Sequence, residues 1–352
     1  MMSAATASNQ HIDFLSQLLL SSERSHFPAS ELDACLSLAH KNHVVVRWLQ
    51  ILLQTSFAQA PQIAGWAKAA LAEEQARIAH ALPFLETICY EFYAQSCEIT
   101  VIKSLDHWPD LGSDLDLYTT AQPKDVIRIM REQFKAKVAE RSWGDRLAGK
   151  WNFNIPGLPE SVEIHVGRLG QTGEHVDWAD GIPQRAVQVQ RAQYSFRVAS
   201  SEDRLMISTL QRMYRHFYFR LCDIVDSAQL LESGIVDFTR LKAHSESQGI
   251  WKGVATYLVL VSDYVKRFRR TEVPLPSLVR AAATFGGDKL SFGRDFLRIP
   301  IVPESVSLYT AELRTLARQG EFKETLRLSL LPYLAVAAAV GQKLTGSDKG
   351  IW

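Results

Sequence analysis

The sequence predicts an α+β fold in which a mixed β-sheet core is flanked by helical regions. Apolar residues recur at helical spacing up to about residue 95, strand-like alternation with short loops dominates from 97 to about 200, and helical periodicity returns from Ser201. We therefore divide the chain into an amino-terminal helical region (1–95), a central sheet region (96–200) and a carboxy-terminal helical region (201–352).

Length and composition predict a soluble protein of the cytoplasm. The chain has 352 residues, of which 47% are hydrophobic, and its net charge of +1 argues against a protein that coats a polyanion. The four cysteines, Cys35, Cys89, Cys97 and Cys222, lack Cys-x-x-Cys spacing, so we expect buried thiols rather than disulfides or a zinc site. We identify no signal peptide, and no apolar run is long enough to span a bilayer.

The run from Gly112 to Thr119 carries the strongest chemical signal. Asp114 and Asp116 alternate with Leu115 and Leu117 in a strand-forming stretch, so both carboxylates point to one face and the leucines to the other. Paired acids held this close repel each other unless a cation lies between them. Carboxylates suit Mg²⁺ (or Mn²⁺), so the pattern indicates metal-assisted chemistry on a phosphate compound.

The surrounding segments supply a third acid. Glu98 to Leu105 reads as a strand, and Asp106 to Gly112 contains the Pro and Gly of a connecting loop. Further on, Ser161 to Val166 alternates again, with Glu163 and His165 on one face. His165 either lines the site or packs and forms hydrogen bonds beside it.

The region after the sheet predicts one long helix from Asp203 to Leu231, capped by Ser200 or Ser201. A polar stripe runs beside its apolar face and contains His216 and Arg220. These two side chains either face the cleft and contact a triphosphate or belong to a solvated surface. A strand pair around Leu290 to Val302 and two final helices complete the prediction.

Taken together, these motifs resemble the DNA polymerase beta-like nucleotidyltransferase superfamily, and within it a family of uncharacterised bacterial nucleotidyltransferases. The resemblance spans most of residues 30–265. The matching motifs are Lys103-Ser104, Asp114 and Asp116, Glu163 and His165, Glu202 to Leu205, His216, and Arg220-Leu221 through Asp226.

The resemblance implies a nucleotidyltransferase-type sheet and a magnesium-dependent enzyme. Such an enzyme moves a nucleoside monophosphate from a nucleoside triphosphate to a hydroxyl-bearing acceptor and releases pyrophosphate. Asp114, Asp116 and Glu163 would be the catalytic and metal-binding residues, and Lys103, Ser104, Ser113, His216 and Arg220 would bind the nucleotide. The acceptor could be a small molecule, a protein or RNA.

Two alternatives remain open. Superfamily members usually have Gly followed by Gly or Ser where this chain has Lys103-Ser104, which is consistent with a catalytically inactive protein that binds a nucleotide or a partner. Separately, the basic and aromatic run from Tyr264 to Arg270 and the apolar run from Leu328 to Val340 could bind a membrane surface or a partner. A solvated helix end is the more common meaning of such a basic run.

Overall fold

Strand β2 (Asp114–Thr119) lies at the centre of a seven-stranded mixed sheet. Its alternation decides its orientation, because Leu115 and Leu117 are fully buried while Asp114 and Asp116 remain partly exposed. The architecture comes from a computed structural model, which describes residues 4–21, 28–55, 60–293 and 295–333. The predicted α+β class with a mixed sheet is confirmed.

The sheet combines parallel and antiparallel pairs. Its strands, besides β2, are β1 (Ile99–Val101), β3 (Lys137–Val138), β4 (Lys150–Asn154), β5 (Ser161–Val166), β6 (Val187–Arg191) and β7 (Tyr194–Val198). Their order across the sheet is β3, β4, β5, β2, β1, β7, β6. Strands β2 and β5 are parallel, as are β1 and β7, and the remaining neighbours are antiparallel.

Helices precede, interrupt and follow this sheet. Those before and within it are α1 (Ala4–Leu20), α2 (Leu32–Lys41), α3 (Val45–Leu53), α4 (Pro61–Ala94), α5 (Pro123–Phe134), α6 (Trp143–Leu147), α7 (Asp177–Asp180) and α8 (Ile182–Arg185). Those after it are α9 (Ser201–Thr209), α10 (Leu221–Glu232), α11 (Phe238–Ser247), α12 (Trp251–Arg269), α13 (Ser277–Ala282), α14 (Val306–Arg318) and α15 (Phe322–Ser329). Short 3₁₀ turns occupy Ala29–Glu31 and Gly287–Lys289.

Two large hydrophobic clusters hold these layers together. One covers the leucine face of β2 with side chains from α4 and α5, including Leu85, Phe92 and Ile129. The other joins the amino-terminal and carboxy-terminal helices, with Trp48 of α3 and Tyr257 of α12 both fully buried in it. The helical regions at the two ends of the chain therefore share one core.

The single helix predicted from Asp203 to Leu231 is wrong. Helix α9 continues into a π-helical segment (Leu210–His216), and the chain then turns at Phe217, whose φ of 56° is left-handed. Tyr218 and Phe219 form strand β8, which pairs with β10 (Phe296–Arg298), and β10 also pairs with β9 (Ser291–Gly293). Sequence periodicity hid the break because α10 resumes with its apolar residues again facing the core.

The start of α9 is as predicted, and the side chain of Ser200 accepts a hydrogen bond from the Asp203 backbone N–H at 3.3 Å. The expected strand pair and final helices are also present, as β9, β10, α14 and α15.

A buried polar cluster ties α14 to the loop after β5. His175 Nε2 lies 3.0 Å from Glu312 Oε1 and 3.7 Å from Glu174 Oε1, and all three side chains are almost fully buried. The carboxylate of Glu174 also accepts hydrogen bonds from the backbone N–H groups of Gln171 and Thr172. Burial in this cluster raises the pKa of Glu312 to about 7, while His175 opposes that rise.

The basic run at the end of α12 makes contacts within the chain. Arg267 contacts Asp13 of α1 at 3.2 Å, and Arg269 contacts Glu232 of α10 at 2.5 Å. The apolar run from Leu328 to Val340 extends beyond the described residues after 333. No helix in the described ranges combines the length and apolar character needed to cross a membrane.

Candidate active site

The eight residues that the sequence predicts for catalysis, metal binding and nucleotide binding all line one cleft of about 200 Å³. They come from the loop between β1 and β2, from β2 and β5, from the end of the π-helical segment, and from the residue just before α10. They are Lys103, Ser104, Ser113, Asp114, Asp116, Glu163, His216 and Arg220.

The parallel pairing of β2 with β5 brings the acids together. Asp116 is directly opposite Glu163 in the register, and the alternation turns both side chains to the face away from the leucine core. The ligand atoms of Asp116, Glu163 and His165 all lie within 4.8 Å of one another. Asp114 lies two residues before Asp116 on the same face of β2, outside this group of three.

Two lysines balance the acids. The ammonium group of Lys103 contacts Asp116 and lies 3.3 Å from Glu163 Oε1. Lys150 of β4 lies 3.0 Å from Glu163 Oε2 and 2.9 Å from Asp145 Oδ1. The relative solvent exposure is 13 to 15% for the side chains of Lys103, Asp116 and Glu163, so these groups are accessible from the cleft.

Burial and crowding shift the pKa values of the three acids in different directions. Burial raises the pKa of Asp116 to about 7; the Lys103 charge opposes this rise and the Glu163 charge adds to it. Burial and the charge of Glu163 also raise the pKa of Asp114. Burial would raise the pKa of Glu163 as well, but Lys103, His165 and Lys150 hold it well below its usual range.

His165 packs beside the acids rather than lining the cleft. Its side chain is buried, and its Nε2 atom lies 2.8 Å from Glu163 Oε1. Burial lowers the pKa of His165 to about 4, although Glu163 opposes this, so the neutral ring donates a hydrogen bond to the carboxylate. His165 therefore orients Glu163.

The two serines differ in their contacts. The hydroxyl of Ser104 donates to the carbonyl of Asp114 at 3.1 Å and accepts from the backbone N–H of Asp116 at 2.7 Å. Its hydrogen is therefore used to hold the backbone of the acidic strand, which removes the reason for expecting Ser104 to donate to phosphate. Ser113 is exposed at the cleft, with its hydroxyl 3.3 Å from Asp114 Oδ2.

The π-helical segment and the turn after it give the cleft a basic side. Arg212 and Arg215 line the cleft together with Arg220, and Arg212 pairs with Asp223 at 2.7 Å. Among the described residues the guanidinium of Arg220 forms no ion pair and lies 5.9 Å from the centre of the Phe296 ring. An unpaired guanidinium beside a cleft suits an anion.

His216 cannot add a positive charge to this basic side. Burial lowers its pKa well below the usual value, and the surrounding charges of Arg215, Arg212, Arg220 and Lys103 lower it further. The ring is therefore neutral and can contribute a hydrogen bond only.

Sequence reasoning missed several residues of the cleft. Lys150 carried a weak signal, because it begins a strand-like stretch that predicts the neighbour of β5. The others have no local signal, because their place depends on distant elements. They are His43, His107, Gln211, Arg215 and Tyr218.

Arg77 of α4 supports the loops behind the acids. Its Nη2 donates to the Leu111 carbonyl at 2.9 Å, and its Nη1 lies 2.5 Å from Glu160 Oε1. One side chain therefore connects the residues just before β2 with the residue just before β5.

The acids fit a divalent cation. An ammonium group already sits against Asp116 and Glu163, so this position attracts positive charge. Oxygen ligands of this kind suit Mg²⁺ or Mn²⁺, the cations expected from the sequence.

Comparison with known proteins does not identify the function of this cleft. No model of a known protein family matches the chain, and no curated protein matches it.

Proposed function

We propose that the chain is a metal-dependent nucleotidyltransferase that transfers a nucleoside monophosphate from a nucleoside triphosphate to a hydroxyl-bearing acceptor. In this reaction the acceptor oxygen bonds to the α-phosphorus while the bond from that phosphorus to the bridging oxygen breaks, and pyrophosphate leaves. The observation that carries the proposal is one cleft with three acids from β2 and β5 on the sheet side and three arginines on the helical side. The nucleotidyltransferase-type fold is part of this proposal, supported by the acidic strand at the centre of a mixed sheet.

The acids would hold the metal. Asp114 and Asp116 would bind the cation that accompanies the triphosphate, and Asp116 with Glu163 would bind the one beside the acceptor. When bound, such cations balance phosphate charge and lower the pKa of the acceptor hydroxyl. Lys150 and His165 keep Glu163 ionised and oriented for this role.

The basic side would bind the triphosphate. Arg220 has a guanidinium without an acid partner in the described residues, so a phosphate oxygen can take that place. Lys103 lies where an ammonium can move from the carboxylates to a phosphate oxygen once a cation neutralises those acids.

A second candidate function is nucleotide or partner binding without chemistry. The Lys103 ammonium favours it, because a lysine already paired with Asp116 and Glu163 competes with the metal that catalysis needs. The presence of all three acids in one cleft favours the enzyme.

The test is transfer of label from each of the four α-phosphate-labelled triphosphates to an acceptor in cell lysate, with magnesium present. We expect the wild-type chain to label an acceptor and Asp116→Asn to label none. Nucleotide binding without labelling by any of the four triphosphates would favour the binding function.

A further inference from the structure

Three metal-ligating side chains meet at the edge of the cleft, apart from the acids. They are His43 in the loop between α2 and α3, His107 in the loop between β1 and β2, and Cys222 in the first turn of α10. Their ligand atoms all lie within 4.8 Å of one another. Both histidines line the cleft, whereas Cys222 is fully buried.

His107 is held in the orientation of a metal ligand. Its Nδ1 lies 2.5 Å from Asp226 Oδ2, and the other oxygen of Asp226 lies 2.5 Å from Arg47 Nη1. Arg47 is fixed in turn by Asp110, at 2.7 Å. A histidine that binds metal through one ring nitrogen commonly gives its other N–H to a carboxylate, as here.

The distances in the cluster match a shared ion. His107 Nε2 lies 3.8 Å from Cys222 Sγ. A tetrahedral zinc with bonds of about 2.3 Å to sulfur and about 2.0 Å to nitrogen separates these two ligands by about 3.5 Å. The rings of His43 and His107 are 5.7 Å apart between centroids, and the buried Nδ1 of His43 has no hydrogen-bond partner in the described part of the chain.

The charge around the cluster accommodates a divalent ion. Arg47 contacts two carboxylates, those of Asp110 and Asp226, so this group carries one net negative charge. A metal ion that displaces the proton of the Cys222 thiol would create a thiolate, which adds a second. Of the arginines whose charges act on His43, Arg212 is neutralised by Asp223, Arg77 pairs with Glu74 and Glu160, and Arg220 is without an acid partner among the described residues.

We propose that His43, His107 and Cys222 form a binding site for zinc or a similar transition metal, with its fourth coordination position open to the cleft. Three protein ligands with one open position are the arrangement of catalytic zinc sites. Nitrogen and sulfur ligands select a softer ion than the oxygens of Asp114, Asp116 and Glu163, so the two sites take different metals. The site goes beyond the proposed nucleotidyl transfer and does not depend on it.

A competing use of the same residues is a thiol nucleophile formed by Cys222, His107 and Asp226. Cys222 has no exposed surface, so its sulfur is closed to a substrate, whereas a metal ion needs only the inner face of the cleft.

The test measures metal content of the full-length chain. The protein is stripped with a chelator, reloaded with Zn²⁺ in the presence of excess Mg²⁺, desalted and assayed for bound zinc by mass spectrometry. We expect one zinc per chain in the wild type and at least a tenfold lower zinc content in Cys222→Ser and His107→Gln, each of which removes a ligand. Cys35→Ser, which removes a buried thiol outside the cluster, and Asp116→Asn should keep the full zinc content.

Cobalt provides a second readout that does not require a folded variant. Co²⁺ added to the stripped wild type should give the absorption of sulfur-to-cobalt charge transfer. Absence of that absorption together with less than about a tenth of a zinc per chain would overturn the proposal. Zinc binding that is unchanged in Cys222→Ser, or lost in Asp116→Asn but kept in Cys222→Ser, would overturn it as well.

Discussion

The Lys103 ammonium lies 3.3 Å from Glu163 Oε1 and also contacts Asp116, in the position that a catalytic cation would take. It stands on a backbone with a φ of 61°, in the left-handed region that favours glycine. A glycine at this position, as in the superfamily that the sequence resembles, would adopt this φ without strain, whereas Lys103 places a charged side chain there. In the function that we propose, the lysine and the metal would compete for the same two acids.

Removing this ammonium is expected to strengthen metal binding. Lys103→Gln and Lys103→Gly should both bind Mg²⁺ more tightly than the wild type in the absence of nucleotide, as measured by calorimetry. The glycine variant should be the more stable of the two by about 1 kcal/mol, because glycine adopts the positive φ without strain. Lys68→Gln, at an exposed position on α4 away from the cleft, is the matched control and should leave Mg²⁺ affinity unchanged; a Mg²⁺ affinity that does not change in either Lys103 variant would exclude the competition.

Metal and nucleotide together should stabilise the fold. A ligand that binds only the folded state adds about 2.7 kcal/mol when present at about 100 times its dissociation constant, so Mg²⁺ with a nucleoside triphosphate should raise Tm. Asp116→Asn should abolish the shift, whereas Asp288→Asn, at an exposed position away from the cleft, should preserve it. An equal shift in the Asp116 variant would place the nucleotide elsewhere.

Adjacent residues at the start of α10 should separate binding from folding. Arg220→Ala should weaken nucleotide binding by about 1 to 3 kcal/mol, the value of a charge-assisted contact, with little loss of stability. Leu221→Ala should cost about 2 to 5 kcal/mol of unfolding free energy, because Leu221 is fully buried. Arg131→Ala, at an exposed site on α5, is the control; if Arg220→Ala leaves nucleotide affinity at the wild-type value, the turn has a purely structural role.

Substitutions of Glu163 and Asp114 should have different effects on nucleotide binding and transfer. Glu163→Gln should keep nucleotide affinity and lose transfer, since we place Glu163 beside the acceptor. Asp114→Asn should lose both, since we place Asp114 with the triphosphate. Calorimetry beside the labelling assay measures the two effects, and identical behaviour of both variants would contradict this division of roles.

The buried cluster on α14 predicts a pH dependence of stability. The pKa of Glu312 is raised to about 7 by burial, and the pKa of His175 is also raised, because its contacts with Glu312 and Glu174 outweigh burial. Both groups hold protons more tightly in the folded chain, so their contribution is complete below about pH 4.5 and is lost as the pH rises through about 7. Urea unfolding between pH 5 and pH 8 should show this decline, and Glu312→Gln should flatten it; a Glu312→Gln slope equal to that of the wild type would contradict the assignment.

The acidic strand and its partner could be predicted because their signals are local. Alternation in Asp114 to Thr119 and in Ser161 to Val166 defines which side chains enter the core, and a strand needs little more information than that. The cap at Ser200 is equally local. The acids of these strands, Asp114, Asp116 and Glu163, therefore line one cleft, as expected.

The break after His216 could not be predicted because distant residues cause it. Asn42 Oδ1 accepts a hydrogen bond from the Leu221 backbone N–H at 3.0 Å, and its carbonyl accepts one from Cys222 at 3.2 Å, which caps the new helix from far along the chain. Strand β8 likewise needs β10 as a partner. His43 and His107 were not predicted as cleft residues for the same reason, because distant parts of the chain bring them there.

Packing of the hydrophobic core does not by itself select one register for the pairing of β2 with β5. A shift of β5 by one residue would turn Val162 and Ile164 away from the core, whereas a shift by two would keep the apolar side chains on the core face and would place Ser161 or His165 opposite Asp116. Burial of the apolar side chains therefore fixes which face of β5 enters the core, but it does not distinguish registers that differ by two residues. Arg77 holds Leu111 and Glu160 at the entrances of the two strands and so favours the observed register, in which a side chain outside the cleft helps to set Asp116 opposite Glu163.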